Sequence, residues 1–91
     1  MKFSTFHLFP RPADWSVQQV YDYELQVIQT ADELGFDCAW IAEHHFRDYG
    51  VVANTMLLLS NLAAKTKRIR LGNAVVVMPV LHPLRVAEGA A

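Results

Sequence analysis

The sequence predicts an α/β fold, a parallel sheet built from β-α-β units with its helices on the outside. Two observations carry that prediction. Apolar runs of strand length alternate with segments of helical period, and Gly, Pro or polar clusters separate them. Strands that alternate with helices connect through right-handed crossovers, which sets successive strands parallel.

The first strand is expected near residues 2–8, in the Phe-rich run from Lys2 to Phe9, and Pro10-Arg11-Pro12 breaks it. Ser16 is a candidate N-cap for a helix over 17–34, and Gly35 stands where such a helix ends. On a helical wheel Val17, Val20, Tyr21, Leu25, Ile28 and Ala31 share one half. Gln18, Gln19, Asp22, Gln29, Asp32 and Glu33 share the other, so this helix lies on a surface with one side buried. Glu24 breaks the pattern from the middle of the apolar half. It snorkels or finds an ion partner, and the sequence attaches no function to it.

A second strand is expected over 37–42, opening onto the polar cluster Glu43-His44-His45-Phe46. Residues 53–65 read as a second helix of good helix formers. Met56, Leu57, Leu58, Leu59 and Leu62 leave it no wide polar face, so it must be covered on more than one side. A basic turn, Lys65 to Arg68, leads into a third strand over 69–75, and Pro83 opens a third helix.

Composition narrows the function. With 91 residues, 53% of them hydrophobic, and a formal net charge of −1, residues 1–91 form one segment of a single domain. Cys38 is the only cysteine, which excludes an internal disulfide and a Cys-rich zinc site. Near-balanced charge gives no footprint for nucleic acid or an acidic membrane. No apolar run approaches a membrane span, and the N-terminal one is cut by Pro10 and Pro12 before it could act as a secretory signal. A soluble cytoplasmic protein is expected.

The chemistry concentrates at Glu43-His44-His45. In α/β folds ligands gather at the carboxyl ends of strands, and this cluster follows the second one. Histidine suits proton transfer near neutral pH, although a polar loop with surface histidines fits the residues too. Adjacent residues in extended chain point to opposite sides, so His44 and His45 do not easily share a metal, and none is expected. Strand parity alone does not choose between them. Gly72-Asn73-Ala74-Val75 ends the third strand, where small residues let something flat approach the backbone; a bulge or plain strand end is the alternative. Glycine-rich phosphate loops, nucleophile elbows and paired carboxylates at hydrolase spacing are absent.

Met1-Lys2-Phe3, Leu34-Gly35-Phe36-Asp37 with Trp40, Glu43-His44-His45-Phe46, and Gly72 to Pro79 running into His82-Pro83-Leu84-Arg85 occur in the order and spacing of one family. Together they resemble the bacterial luciferase family of flavin-dependent monooxygenases, over essentially the whole chain. The resemblance implies a (β/α)8 TIM barrel of which residues 1–91 are the N-terminal β-α-β-α-β portion. It implies reduced FMN, delivered by a flavin reductase, and O2 oxidising a small organic substrate such as an aldehyde. It makes His44 the catalytic histidine and places a non-prolyl cis peptide, Ala74-Val75, beneath the flavin ring. Glu43 is a further candidate for lining that site. It also implies that most of the phosphate site and the histidine's acidic partner lie on later strands, so this chain alone is expected to be inactive. A dimer is expected for the full-length parent, with Met56 to Leu62 near the interface. Two other functions share these residues: a deazaflavin-dependent oxidoreductase of the same superfamily, and a non-catalytic, luciferase-subunit-like flavin-binding protein. Gly89 departs from the family, which more often has an acidic residue there, and should weaken the third helix by up to about 1 kcal/mol.

Overall fold

A computed structural model describes all 91 residues. The elements run β1 (Ser4–His7), α1 (Val17–Glu33), β2 (Cys38–Ile41), α2 (Thr55–Ala63), β3 (Arg70–Asn73) and α3 (Pro83–Ala90), with a single 3-10 turn at Met78–Val80. The strands form one sheet in the order β1-β2-β3, both pairs parallel. This is the alternating parallel architecture the sequence predicts.

Each strand is shorter than expected, but the hydrogen-bond ladder runs a step further at both ends. Asp37 N–H donates to Phe3 O at 2.8 Å and Arg70 N–H to Asp37 O at 3.0 Å. Ala42 N–H reaches His7 O at 3.0 Å, and Ala74 N–H reaches Ile41 O at 2.8 Å. The third strand stops at Asn73 rather than 75, directly ahead of the cis Ala74–Val75 peptide bond.

Helix ends follow local chemistry. Ser16 caps α1 through a complete capping box with Gln19. At the other end Gly35 N–H bonds to Asp32 O and Phe36 N–H to Ala31 O, with Gly35 at φ +84°. That is a Schellman closure, and its left-handed residue is the glycine the sequence places there. The second helix begins at Thr55, two residues later than expected, because the Asn54 side chain accepts from Leu57 N–H at 3.2 Å and caps it.

Both helices cover the same face. Val20, Ile28 and Ala31 of α1, Leu58 and Leu62 of α2, Ala39 and Ile41 of β2, and Ile69 just ahead of β3 share one buried cluster. Strand alternation sends the row Phe6, Trp40, Gly72 to the opposite face, where Phe6 is 57% and Trp40 41% exposed. The indole lies across Gly72: a Cβ there would be 2.5 Å from Trp40 Cε3. The flat group that approaches this glycine therefore comes from the chain itself. Glu24 also finds its partner, because the buried His7 bonds to Glu24 Oε2 through Nδ1 and to Thr5 Oγ1 through Nε2, each at 2.8 Å.

Candidate functional site

His7, Ile41 and Asn73 end the three strands in one row, so the loops that follow leave from a single edge. Glu43 and His44 lie just past β2, and Ala74 and Val75 just past β3. The bond from Ala74 N–H to Ile41 O ties the two segments together. The structure thus brings all four sequence-predicted site residues to the carboxyl edge of the sheet, where α/β folds place ligands.

The loop after β2 folds back over that edge. Gly50 forms an antiparallel bridge with Pro10, flanked by Arg11 N–H to Tyr49 O at 3.3 Å and Val51 N–H to Phe9 O at 3.2 Å. Phe9 is fully buried at φ +52° and packs on Tyr21, whose hydroxyl donates to Val51 O. Inside this fold the His44 ring meets the Tyr49 ring edge-on, centroids 5.3 Å apart. Its Nε2 is buried with no partner, and so is Asn73 Oδ1. Buried polar atoms are nearly always satisfied; these two have no partner within the chain, and Asn73 shares the strand row of Ile41, on the helix-covered face.

The neighbouring histidine is employed differently. His45 Nε2–H donates to Glu43 Oε1 at 2.6 Å, and Thr55 Oγ1 lies 3.5 Å from Glu43 Oε2. The Glu43 side chain is 1% exposed, so its carboxylate is held inside the chain between a histidine and the first residue of α2. Parity left the two histidines equivalent; the hydrogen bonds do not, since His45 is engaged and His44 Nε2 is free. No group of three or more His, Cys, Asp or Glu is arranged to hold a metal ion.

Around His44 an open depression of ≈ 390 Å³ is bordered by Arg11, Phe46, Arg47 and Gly50. Phe46 is 98% exposed and sits at φ +59°, a left-handed conformation rare for a bulky residue. A more voluminous depression, ≈ 730 Å³, opens at the far edge beside Lys2, Phe3 and Arg70. It holds no orphaned polar atom.

A family profile described as luciferase-like monooxygenase matches residues 1–91. The chain belongs to the luciferase-like monooxygenases. It is 36% identical over 88 residues to the alkanal monooxygenase alpha chain of a Kryptophanaron alfredi symbiont, covering 97% of this chain and 25% of that one. With the oxygenase component of the flavin-dependent trigonelline monooxygenase of Acinetobacter baylyi it shares 39% over 92 residues, 100% of this chain and 26% of that one. The oxygenating constituent of 3,6-diketocamphane monooxygenase from Pseudomonas putida, solved with FMN, superposes with a TM-score of 0.87 at 27% identity, over 98% of this chain and 25% of that one. The chain spans about a quarter of the length of these proteins. Its three-stranded unit matches the N-terminal part of the luciferase-like TIM barrels.

The luciferase-like resemblance named Ala74-Val75 as a non-prolyl cis bond, and the bond is cis. Sequence reasoning missed Asn73 as a polar rim group, although it had marked the run that contains it. It also missed Gly50, whose importance depends on what the folded loop sets beside it. The residues of the rim fit a flavin in one respect that the structure displays: an imidazole nitrogen without a partner in the chain and the exposed Val75 lie along one edge.

Proposed function

We propose that residues 1–91 form the first three β-α units of a (β/α)8 monooxygenase that uses reduced FMN and O2 to oxidise a small organic substrate. The observation that carries this reading is the buried, unpartnered Nε2 of His44, on the same rim as the Ala74–Val75 backbone. FMN, when bound, supplies the electrons that activate oxygen; the flavin-dependent relative and the FMN-bound neighbour favour it over a deazaflavin. Ala74 and Val75 give the ring a close-approach wall of backbone. His44 holds or moves a proton at Nε2, a task to which an imidazole is suited. Glu43 belongs to the lining through His45, whose ring it fixes. The barrel walls exclude bulk water and strengthen the hydrogen bonds made inside.

A flavin reductase delivers the reduced cofactor, as expected for a protein similar to an oxygenase component. The substrate class is aldehyde-like, by similarity to the alkanal monooxygenases. No helix is long and apolar enough to cross a membrane, and we place the enzyme in the cytoplasm as a dimer. Leu57, 70% exposed on the outer side of α2, supports an interface there.

The test is His44→Ala in the complete polypeptide that carries these residues. Product formed per reduced FMN should fall by roughly 10²-fold or more, as loss of a proton-transfer group does. FMN affinity, titrated in parallel, separates a lost proton step from lost cofactor binding. Wild-type turnover in this variant would remove His44 from the chemistry.

A further inference from the structure

The two adjacent histidines are held by different means. A carboxylate fixes the His45 ring, whereas His44 Nε2 has no hydrogen bond in the chain. Packing must therefore select the His44 rotamer. On one side stands Gly50. A Cβ added there would lie 2.2 Å from His44 Cδ2 and 2.8 Å from its Cγ, with Leu8 O 2.9 Å away. These are distances that close-packed interiors do not tolerate, so the ring occupies space that only glycine leaves open. Gly50 cannot retreat easily, because its bridge to Pro10 and the flanking bonds of Arg11 and Val51 pin it. Tyr49 closes the ring's edge at 5.3 Å, and His44 N–H is fixed to Val52 O at 2.9 Å.

We propose that Gly50, with Tyr49 beside it, is a positioning residue for His44: its bare backbone sets the ring torsions and so the direction of Nε2. Neither residue handles the proton. The loop after β1 takes part, since Phe9, Pro10 and Arg11 hold Gly50 in place. The inference rests on the proposed role of His44 where it touches turnover, but its structural half stands apart from that role.

The experiment uses the complete polypeptide carrying residues 1–91, free of cofactor, with ¹⁵N-labelled histidine. The His44 ring signals are those lost in His44→Gln. In Gly50→Ala these signals should move while those of His7 and His45 stay in place. With reduced FMN and substrate, kcat should fall by about 10-fold to 100-fold and KM by less than about threefold, the signature of a misplaced group rather than weakened binding. A folded Gly50→Ala with unmoved His44 signals and wild-type kcat overturns the proposal. Should that variant fail to fold, Tyr49→Ala decides, because it loosens the ring without crowding the backbone. Broadened His44 signals and a lowered kcat support the proposal, and unchanged ones sink it. Full turnover in His44→Gln would instead defeat the proton role, while displaced signals in Gly50→Ala would still support the packing argument.

Discussion

At the edge where the strands begin, Asp32 is buried and fully answered: its carboxylate accepts from the N–H groups of Lys67, Arg68 and Ile69 at 2.7, 2.9 and 2.8 Å. At the edge where they end, His44 Nε2 and Asn73 Oδ1 are buried and answered by nothing in the chain. The first edge continues in the same manner. Arg68 donates to the last carbonyls of α1, from Asp32 and Glu33, and Asp37 pairs with Arg70 and Lys2. The second edge instead carries two non-glycine residues at positive φ, Phe9 and Phe46, and the cis Ala74–Val75 bond. Polar groups that complete one another hold a fold together; at the other edge two are left without a partner in the chain. Barrel enzymes divide their two faces in this way.

The largest effect expected is total. If the carboxyl rim is one wall of a larger site, the 91 residues expressed alone should show no oxygenation and should associate. Their inner face leaves Phe6 and Trp40 exposed, and both β1 and β3 are open edges. A closed barrel has neither feature, and exposed apolar surface with free edges promotes aggregation. Size-exclusion chromatography and anaerobic FMN titration check this directly. A soluble monomer that binds reduced FMN at micromolar affinity and oxidises an aldehyde would break the comparison, because one wall would then suffice.

The next effect belongs to the opposite edge and to stability. The three backbone N–H donors, Lys67 first, hold the Asp32 carboxyl below its ordinary range. Unfolded, it titrates near about 3.9. A folded value below that means the stabilisation is complete above the unfolded value and is lost as pH falls through the folded one. In the complete polypeptide the urea midpoint should therefore drop on acidification below about pH 4. Asp32→Asn should lower the midpoint at neutral pH and flatten this acid dependence, leaving the part due to Asp37, which Arg70 also holds low. His44 ring signals and FMN binding should not change. If Asp32→Asn left the midpoint where it was but impaired turnover, the division between a structural and a functional edge would be wrong.

Much of this division is invisible in the sequence, and the reasons are physical. Ser16, Gly35 and the strand order follow from local rules, because caps and periodicity are written within a few residues. Asp32 sits on the polar half of α1 by any helical wheel, and only the return of the chain at Lys67 encloses it. Glu24 breaks the apolar half of α1, and which partner it finds is decided only when β1 sets His7 beside it. The placement of Glu43, His44, Ala74 and Val75 on one edge was legible, since strand ends collect there in any parallel α/β sheet. Which histidine is engaged was not, because Thr55 belongs to the next helix and Glu43 had to be buried against it first. Asn54 is the missed signal that local chemistry could have supplied, as a favoured cap directly before an apolar helix.

The smallest effect concerns the outer layer, which belongs to neither edge. Helix propensity alone makes Gly89 a weak residue in α3, and replacing it with alanine should gain up to about 1 kcal/mol. The folded chain adds a second term, because a Cβ at that position would lie 2.4 Å from Met56 Sδ on α2. Methionine is flexible, so its thioether can move aside at modest cost. The two terms oppose each other, and Gly89→Ala should change stability by less than about 0.5 kcal/mol, below the full propensity gain. With Met56→Ala in the background the obstruction is gone, and the alanine should recover most of its propensity. Urea midpoints of the wild type, both single variants and the double variant close the cycle. Equal gains from Gly89→Ala in the two backgrounds would mean that α2 and α3 do not touch there, and the glycine would be left without a packing reason.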